Sequence, residues 1–242
     1  MKSPHFIFAG LLGCLCFITL VSCGSDDDNN TPPNSFTDAR DGNVYQTVTI
    51  GEQVWMAENL KYLPGVVGPE AGSTVTPYYY VYNYNGLIVS EAKALNNYDT
   101  YGVLYNWPAA MNGEMSSELI PSGVQGICPD GWHLPSPAEW TELLLFVGDG
   151  GEAGGKLKET GTNHWLLPNT GATNEFGFTA LPGGARGINE VFSTLGEVGW
   201  WWSTRGGGET SANFYRLFHN NDAIIGFSQS KSLGLSVRCV KD

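Results

Sequence analysis

Cys128-Pro-Asp-Gly-Trp-His-Leu-Pro-Ser-Pro-Ala-Glu-Trp140 puts a cysteine, a turn and a helix start into one short stretch, and the rest of the chain is placed relative to it. Ser136 followed three positions later by Glu139 is a capping box, and Pro137 sits at the first helical position, where its missing N–H costs nothing. Trp140, Leu143, Leu144 and Val147 then recur at helical spacing, so one stripe of the helix is apolar and has to be buried. Gly148 ends it.

Upstream, Val44, Gln46, Val48 and Ile50 lie in a β-rich run that Gly51-Glu52 separates from Gln53-Val-Trp-Met-Ala57, which predicts a hairpin with Trp55 facing the core. The segment from Leu63 to Glu91 holds Gly, Pro and the cluster Tyr78-Tyr-Tyr-Val-Tyr82, and suits an exposed insertion or loop carrying a strand. Tyr80 and Tyr82 are then either a sugar-stacking or partner surface, or tyrosines filling a strand. A second helix is predicted from Trp107, with Asn106 as N-cap, Pro108 in the first turn and Gly113 closing it.

Downstream, Phe178–Leu181, Trp200–Arg205, Asn213–Phe218, Ala223–Phe227 and Leu235–Val240 are short runs bounded by Gly, Asn, Asp or Ser, and read as an antiparallel sheet. Asn220-Asn221-Asp222 is a turn between two of them. Leu235, Val237 and Cys239 share one face of the last run, so Cys239 points inward and can meet Cys128. Gly150-Gly-Glu-Ala-Gly-Gly-Lys-Leu157 approaches a phosphate-binding loop. However, Leu157 stands where a metal-binding hydroxyl belongs and the segment follows a helix, so the glycines are expected to form a flexible turn into Lys156–Glu159.

The N-terminus carries Lys2, a mostly apolar run from Phe6 to Val21 and then Leu20-Val-Ser-Cys23, which reads as a lipoprotein signal over 1–22 with Cys23 as the lipidated residue. Residues 23–35 hold an acidic, apolar-free stretch and are expected to be a flexible tether, leaving one domain over 36–242. The formal net charge is −12, and no Lys/Arg cluster is present to neutralise phosphates, which argues against nucleic acid as partner. Two cysteines lie beyond the signal, Cys128 and Cys239; an even count in an exported chain reads as a disulfide, free buried thiols being the other possibility.

Asp41-Gly-Asn-Val-Tyr-Gln-Thr-Val-Thr-Ile-Gly-Glu-Gln-Val-Trp-Met-Ala-Glu-Asn-Leu60, Tyr101-Gly-Val-Leu-Tyr105, Cys128–Ser136, Gly155-Lys-Leu-Lys158, Phe176–Arg186 and Val237-Arg-Cys239 occur in that order. Together they resemble the Fibrobacter succinogenes major paralogous domain family. The resemblance implies an α+β, C-type-lectin-like fold, with two helices flanking short antiparallel sheets and one disulfide, in an exported and usually surface-attached protein. A short acidic run after the lipid cysteine likewise resembles a surface-export signal, so the expected location is the outer membrane, lipid-anchored and facing the exterior.

Leu134-Pro-Ser-Pro-Ala-Glu-Trp140 also resembles a segment of formylglycine-generating enzymes, but the pair of late reactive cysteines those enzymes need is absent, Cys239 being the one late cysteine. No nucleophile elbow or metal-ligand spacing occurs, so no cofactor, metal or catalytic residue is expected. His133 reads as a packed core or turn histidine. Calcium-binding lectins gather hard oxygens on characteristic loops; Trp202-Ser-Thr204 offers hydroxyls instead, and Asp149, Glu152, Glu190 and Asp222 are weak alternatives. Alternation along Trp200-Trp-Trp202 sets Trp201 opposite its neighbours. Either an exposed ring beside Arg205 stacks on a ligand, or both faces are covered. The expected function is a surface binding module for a glycan or protein, through Trp201, Arg205, Tyr80 and Tyr82. A structural envelope or fimbria-like component and a glycan- or protein-modifying enzyme are the alternatives.

Overall fold

The computed structural model describes residues 1–2, 34–148 and 151–242. All of the predicted signal but Met1 and Lys2, Cys23, nearly all of the predicted tether, and Asp149 lie outside the described residues; Ser35, at the tether's end, already belongs to a strand.

The chain opens with β1 (Ser35–Thr37), β2 (Val44–Ile50) and β3 (Gln53–Met56) as consecutive antiparallel partners. The β2–β3 turn is at Gly51-Glu52 as expected, with Gly51 at φ 62°, and Trp55 is fully buried. β4 (Tyr79–Tyr80) follows, then α1 (Val89–Lys93), α2 (Asn96–Tyr101) and β5 (Leu104–Tyr105), which pairs with β4. The tyrosine-rich stretch is thus a loop with a two-residue strand, but it is not an exposed insertion: Leu63, Val66, Tyr80 and Val81 all belong to the core.

α3 (Trp107–Met111) is capped by the Asn106 side chain, which accepts from the N–H of Ala109 at 3.1 Å; it ends at Asn112, in the left-handed region at φ 49°, one residue before the glycine expected to close it. β6 (Trp132–His133) leads into α4 (Pro137–Val147), whose capping box forms as read: Ser136 accepts from the Glu139 N–H at 3.2 Å and Glu139 from the Ser136 N–H at 2.9 Å. Trp140, Leu143 and Val147 are buried.

α5 (Ala153–Leu157) corrects the reading of the glycine run as a flexible turn. Gly154 and Gly155 are buried because the helix lies against the backbone of Gly171 and Asp222, too close for a side chain. With α1 and α2, also unforeseen, the described residues hold five helices rather than two.

The remaining elements are β7 (Gly183–Arg186) paired with β8 (Phe192–Leu195), then β9 (Val198–Gly206), β10 (Ser211–Phe218) and β11 (Ile224–Ser230), and finally β12 (Val240–Lys241). Two larger antiparallel sheets result, in the orders β1-β2-β3-β12-β6 and β11-β10-β9. The domain is therefore a mixture of short helices and antiparallel sheets. Phe178–Leu181 forms a single bridge, Lys158 to Ala180, rather than a strand, and Leu235–Val240 adds no full strand to the β9–β11 sheet but meets β9 at a parallel bridge between Ser236 and Trp201.

Residues 234–241 act instead as a spine. Gly234 exchanges backbone hydrogen bonds with Arg186, Leu235 with Tyr105, and Ser236 with Trp200 and Trp202. Cys239 accepts from the Met56 N–H, and Val240 lies between Trp55 and His133. One segment thereby reaches β7, β5, β9, β3 and β6. The Cys128–Cys239 disulfide, with Cα atoms 6.0 Å apart, joins this spine to the loop before β6.

Much of the backbone is irregular, and its buried carbonyls need donors. Three buried cations supply them. Lys158 donates from Nζ to the carbonyls of Thr170, Phe218 and Asn221 at 2.7, 3.0 and 3.0 Å, and burial pushes its ammonium down to about 8. Arg186 donates to Pro69 and Ser232, and Arg238 to Phe178, Thr179 and the Asn59 side chain.

Candidate functional site

β9 carries Trp200, Trp201 and Trp202, and strand alternation sends them to opposite sides. Trp201 belongs to the core cluster that holds Trp55, Trp140 and Phe178, with its ring 6.4 Å from that of Trp140; Trp202 belongs to the cluster that holds Trp107, Cys128 and Cys239. Both faces of the strand are covered at this point. Trp201 is 0% exposed and donates its indole N–H to Asn59 at 2.8 Å, so it is corrected from a stacking ring to a core anchor.

Of the other expected ligand residues, Tyr80 is also corrected to the core. Tyr80 is buried, its hydroxyl donating to the Ala71 carbonyl at 2.6 Å, because β4 runs under the Arg186 guanidinium. Arg205 is exposed and pairs with Glu118 at 3.1 Å. Tyr82 is half-buried beside the β7–β8 hairpin, its ring 5.1 Å from Phe192. Ser203 and Thr204 are buried, and the Thr204 hydroxyl donates to the Ser117 carbonyl at 2.7 Å. Among the described residues, no group of three or more His, Cys, Asp or Glu is placed to share a metal ion.

His133 is buried in β6, with ring nitrogens 2.6 Å from Glu139 and 2.7 Å from Asp242. Burial alone lowers its pKa, but the two carboxylates outweigh it and the net shift is upward. The arrangement ties β6, the start of α4 and Asp242 together. Concavities elsewhere include a groove of about 380 Å³ lined by Trp107, Met111, Val75 and Pro77, and a recess of about 280 Å³ lined by Glu58, Asp99, Glu159 and His164 among others.

The feature that alternation builds at the surface is on the β11-β10-β9 sheet. Register sets Trp202, Phe214 and Phe227 in one row across the strands, and Trp200, Arg216 and Ile225 in the next, with Phe218 one step beyond Arg216. Directly opposed residues share a face, so these side chains stand together. Trp202 and Phe214 are buried, whereas Trp200, Arg216 and Phe218 are half-buried and Phe227 is 45% exposed.

The Arg216 guanidinium carbon lies 4.1 Å from the ring centre of Phe227, 4.8 Å from that of Phe218 and 5.2 Å from that of Trp200. Its Nε is sealed from solvent without a hydrogen-bond partner, and no ion pair among the described residues includes it. Burial draws its pKa downward, and the group remains cationic. A signal for this face was present in Phe214-x-Arg216-x-Phe218 and Ile225-x-Phe227, both at period two, although which face stayed open depended on the register.

A family model described as the Fibrobacter succinogenes major domain matches residues 48–241. No curated protein and no solved structure matches the chain.

Proposed function

The chain belongs to the Fibrobacter succinogenes major domain family, and from that premise we propose that it is a surface-displayed lipoprotein whose lectin-like domain binds a glycan without catalysis. Cys23 carries the lipid in this reading, and the domain projects from the outer membrane on the acidic tether. The observation that carries the binding reading is the row of partly exposed rings around Arg216: aromatic surface beside a cation that no described residue pairs offers an apolar platform and polar contacts within the span of one sugar ring. A glycan array probed with the wild-type chain and with Trp200→Ala tests it. Selective binding that the substitution abolishes is the expected result; no binding, or binding indifferent to Trp200, counts against it. Cys23→Ala is expected to release the protein from the membrane fraction.

A structural role is favoured by one observation: β11 is the outermost strand of its sheet, and nothing among the described residues pairs with its free edge. Concentration-dependent assembly that a Gly226→Pro substitution prevents would speak for strand addition between copies.

A further inference from the structure

We infer that the glycan is acidic, a uronate whose carboxylate is taken by Arg216 while its ring lies against Trp200 and Phe227; this rests on the binding reading above and narrows it. The chain has five arginines, and four are already engaged. Arg40 holds Asp38 at 2.7 Å, Arg205 holds Glu118 at 3.1 Å, and Arg186 and Arg238 are buried against backbone carbonyls. Among the described residues Arg216 has neither counter-ion nor hydrogen bond, and it stands on a face where three aromatic rings surround it.

Stacking against rings holds the guanidinium plane and leaves its edge for a two-pronged acceptor, the geometry a carboxylate matches. A pyranuronate joins both requirements in one residue: an apolar C–H face for an aromatic ring, and a carboxylate on the ring carbon next to the ring oxygen. The rest of the protein opposes anions, with a formal net charge of −12, so attraction has to come from this local cation and acts at short range. Arg216 is also held from both sides within the sheet, by register with Trp200 on β9 and Ile225 on β11, so little side-chain freedom is lost on binding.

The test compares binding of the purified full chain to polygalacturonate, to the same polymer after its carboxyls are reduced to alcohols, and to a sulfated galactan. The wild-type chain is expected to prefer the polyuronate over its reduced form by about tenfold or more, equivalent to about 1.4 kcal/mol. Arg216→Met, which keeps the apolar stem, is expected to bring the two polymers to parity while neutral binding persists. Arg216→Lys, which keeps the charge without the fork, is expected to fall between and serves if the methionine variant does not fold.

Equal binding of both polymers by the wild-type chain, or a preference unchanged in both variants, overturns the acidic-sugar inference and leaves the binding reading standing. Preference for the sulfated polymer over the polyuronate overturns the carboxylate assignment. Binding to no polymer, with ring-dependent capture of an acidic protein instead, overturns this inference together with the glycan reading.

Discussion

Breaking the Cys128–Cys239 disulfide is expected to destabilise the domain by roughly 5 kcal/mol. The bond closes a loop with a sequence separation of 111. For a loop of that length, the entropy withheld from the unfolded chain is about 16 cal/mol/K, or about 4.8 kcal/mol near room temperature. With about 2 cal/mol/K of unfolding entropy per residue over about 200 residues, the shift in Tm is on the order of 10 °C. Both sulfurs are fully buried, so neither reductant nor alkylating agent reaches them without an opening of the structure. Urea unfolding of the oxidised chain against a Cys128→Ala/Cys239→Ala double variant measures the difference, with the denaturant slope checking that the unfolded states are comparable. A loss below about 1 kcal/mol at equal slope would show that the unfolded ensemble is already held compact, and loop entropy would not be the governing term. Rapid alkylation under native conditions after mild reduction would refute the burial.

Two further outcomes follow from single positions. Gly154→Ala is expected to destabilise by about 1–3 kcal/mol: the new methyl would stand 2.7 Å from the Asp222 carbonyl oxygen and 2.8 Å from the Ala223 carbonyl carbon, and backbone atoms cannot rotate away, so crowding outweighs the gain of about 1 kcal/mol in helix propensity. An unchanged urea midpoint would show that α5 shifts freely. For His133 the folded pKa is raised, so its pairing with Glu139 and Asp242 contributes fully below about pH 6.5 and is lost as pH climbs through the folded value. The stability gap between wild type and His133→Gln should therefore be wider at about pH 5 than at about pH 9, and a gap that widens with alkalinity would reverse the assignment.

What could be read in the residues divides by range. Ser136, Pro137 and Glu139 determine the start of α4 within four positions, and Gly51 and Asn106 act as locally, so the β2–β3 turn and the α3 cap follow from the residues themselves. Gly154 and Gly155 look like a flexible run because the reason for them, the Gly171 and Asp222 backbone, lies distant in sequence. Lys158, Arg186 and Arg238 carry no local mark of burial, since their carbonyl partners come from loops elsewhere in the chain. On β9, the parity of Trp201 against its neighbours can be read, with an exposed ring and the covering of both sides of the strand as alternatives, and the structure has both sides covered at Trp201 and Trp202. Alternation does not say which rings stay open, and those left partly open are Trp200, Phe218 and Phe227 around Arg216.

The spine of residues 234–241 also decides when this protein can fold. Every strand it joins precedes it in sequence, from β3 to β9, so during synthesis those strands emerge before the segment that links them. Until Lys241 is available, β3 and β6 lack their shared neighbour, Cys128 has no partner, and Trp55 and Trp132 lie on unfinished edges. Contacts that span most of the chain form slowly. The domain is thus expected to complete its fold in a late step rather than progressively, and a chain stopped a few residues short should behave as an aggregation-prone intermediate rather than as a slightly weakened native protein.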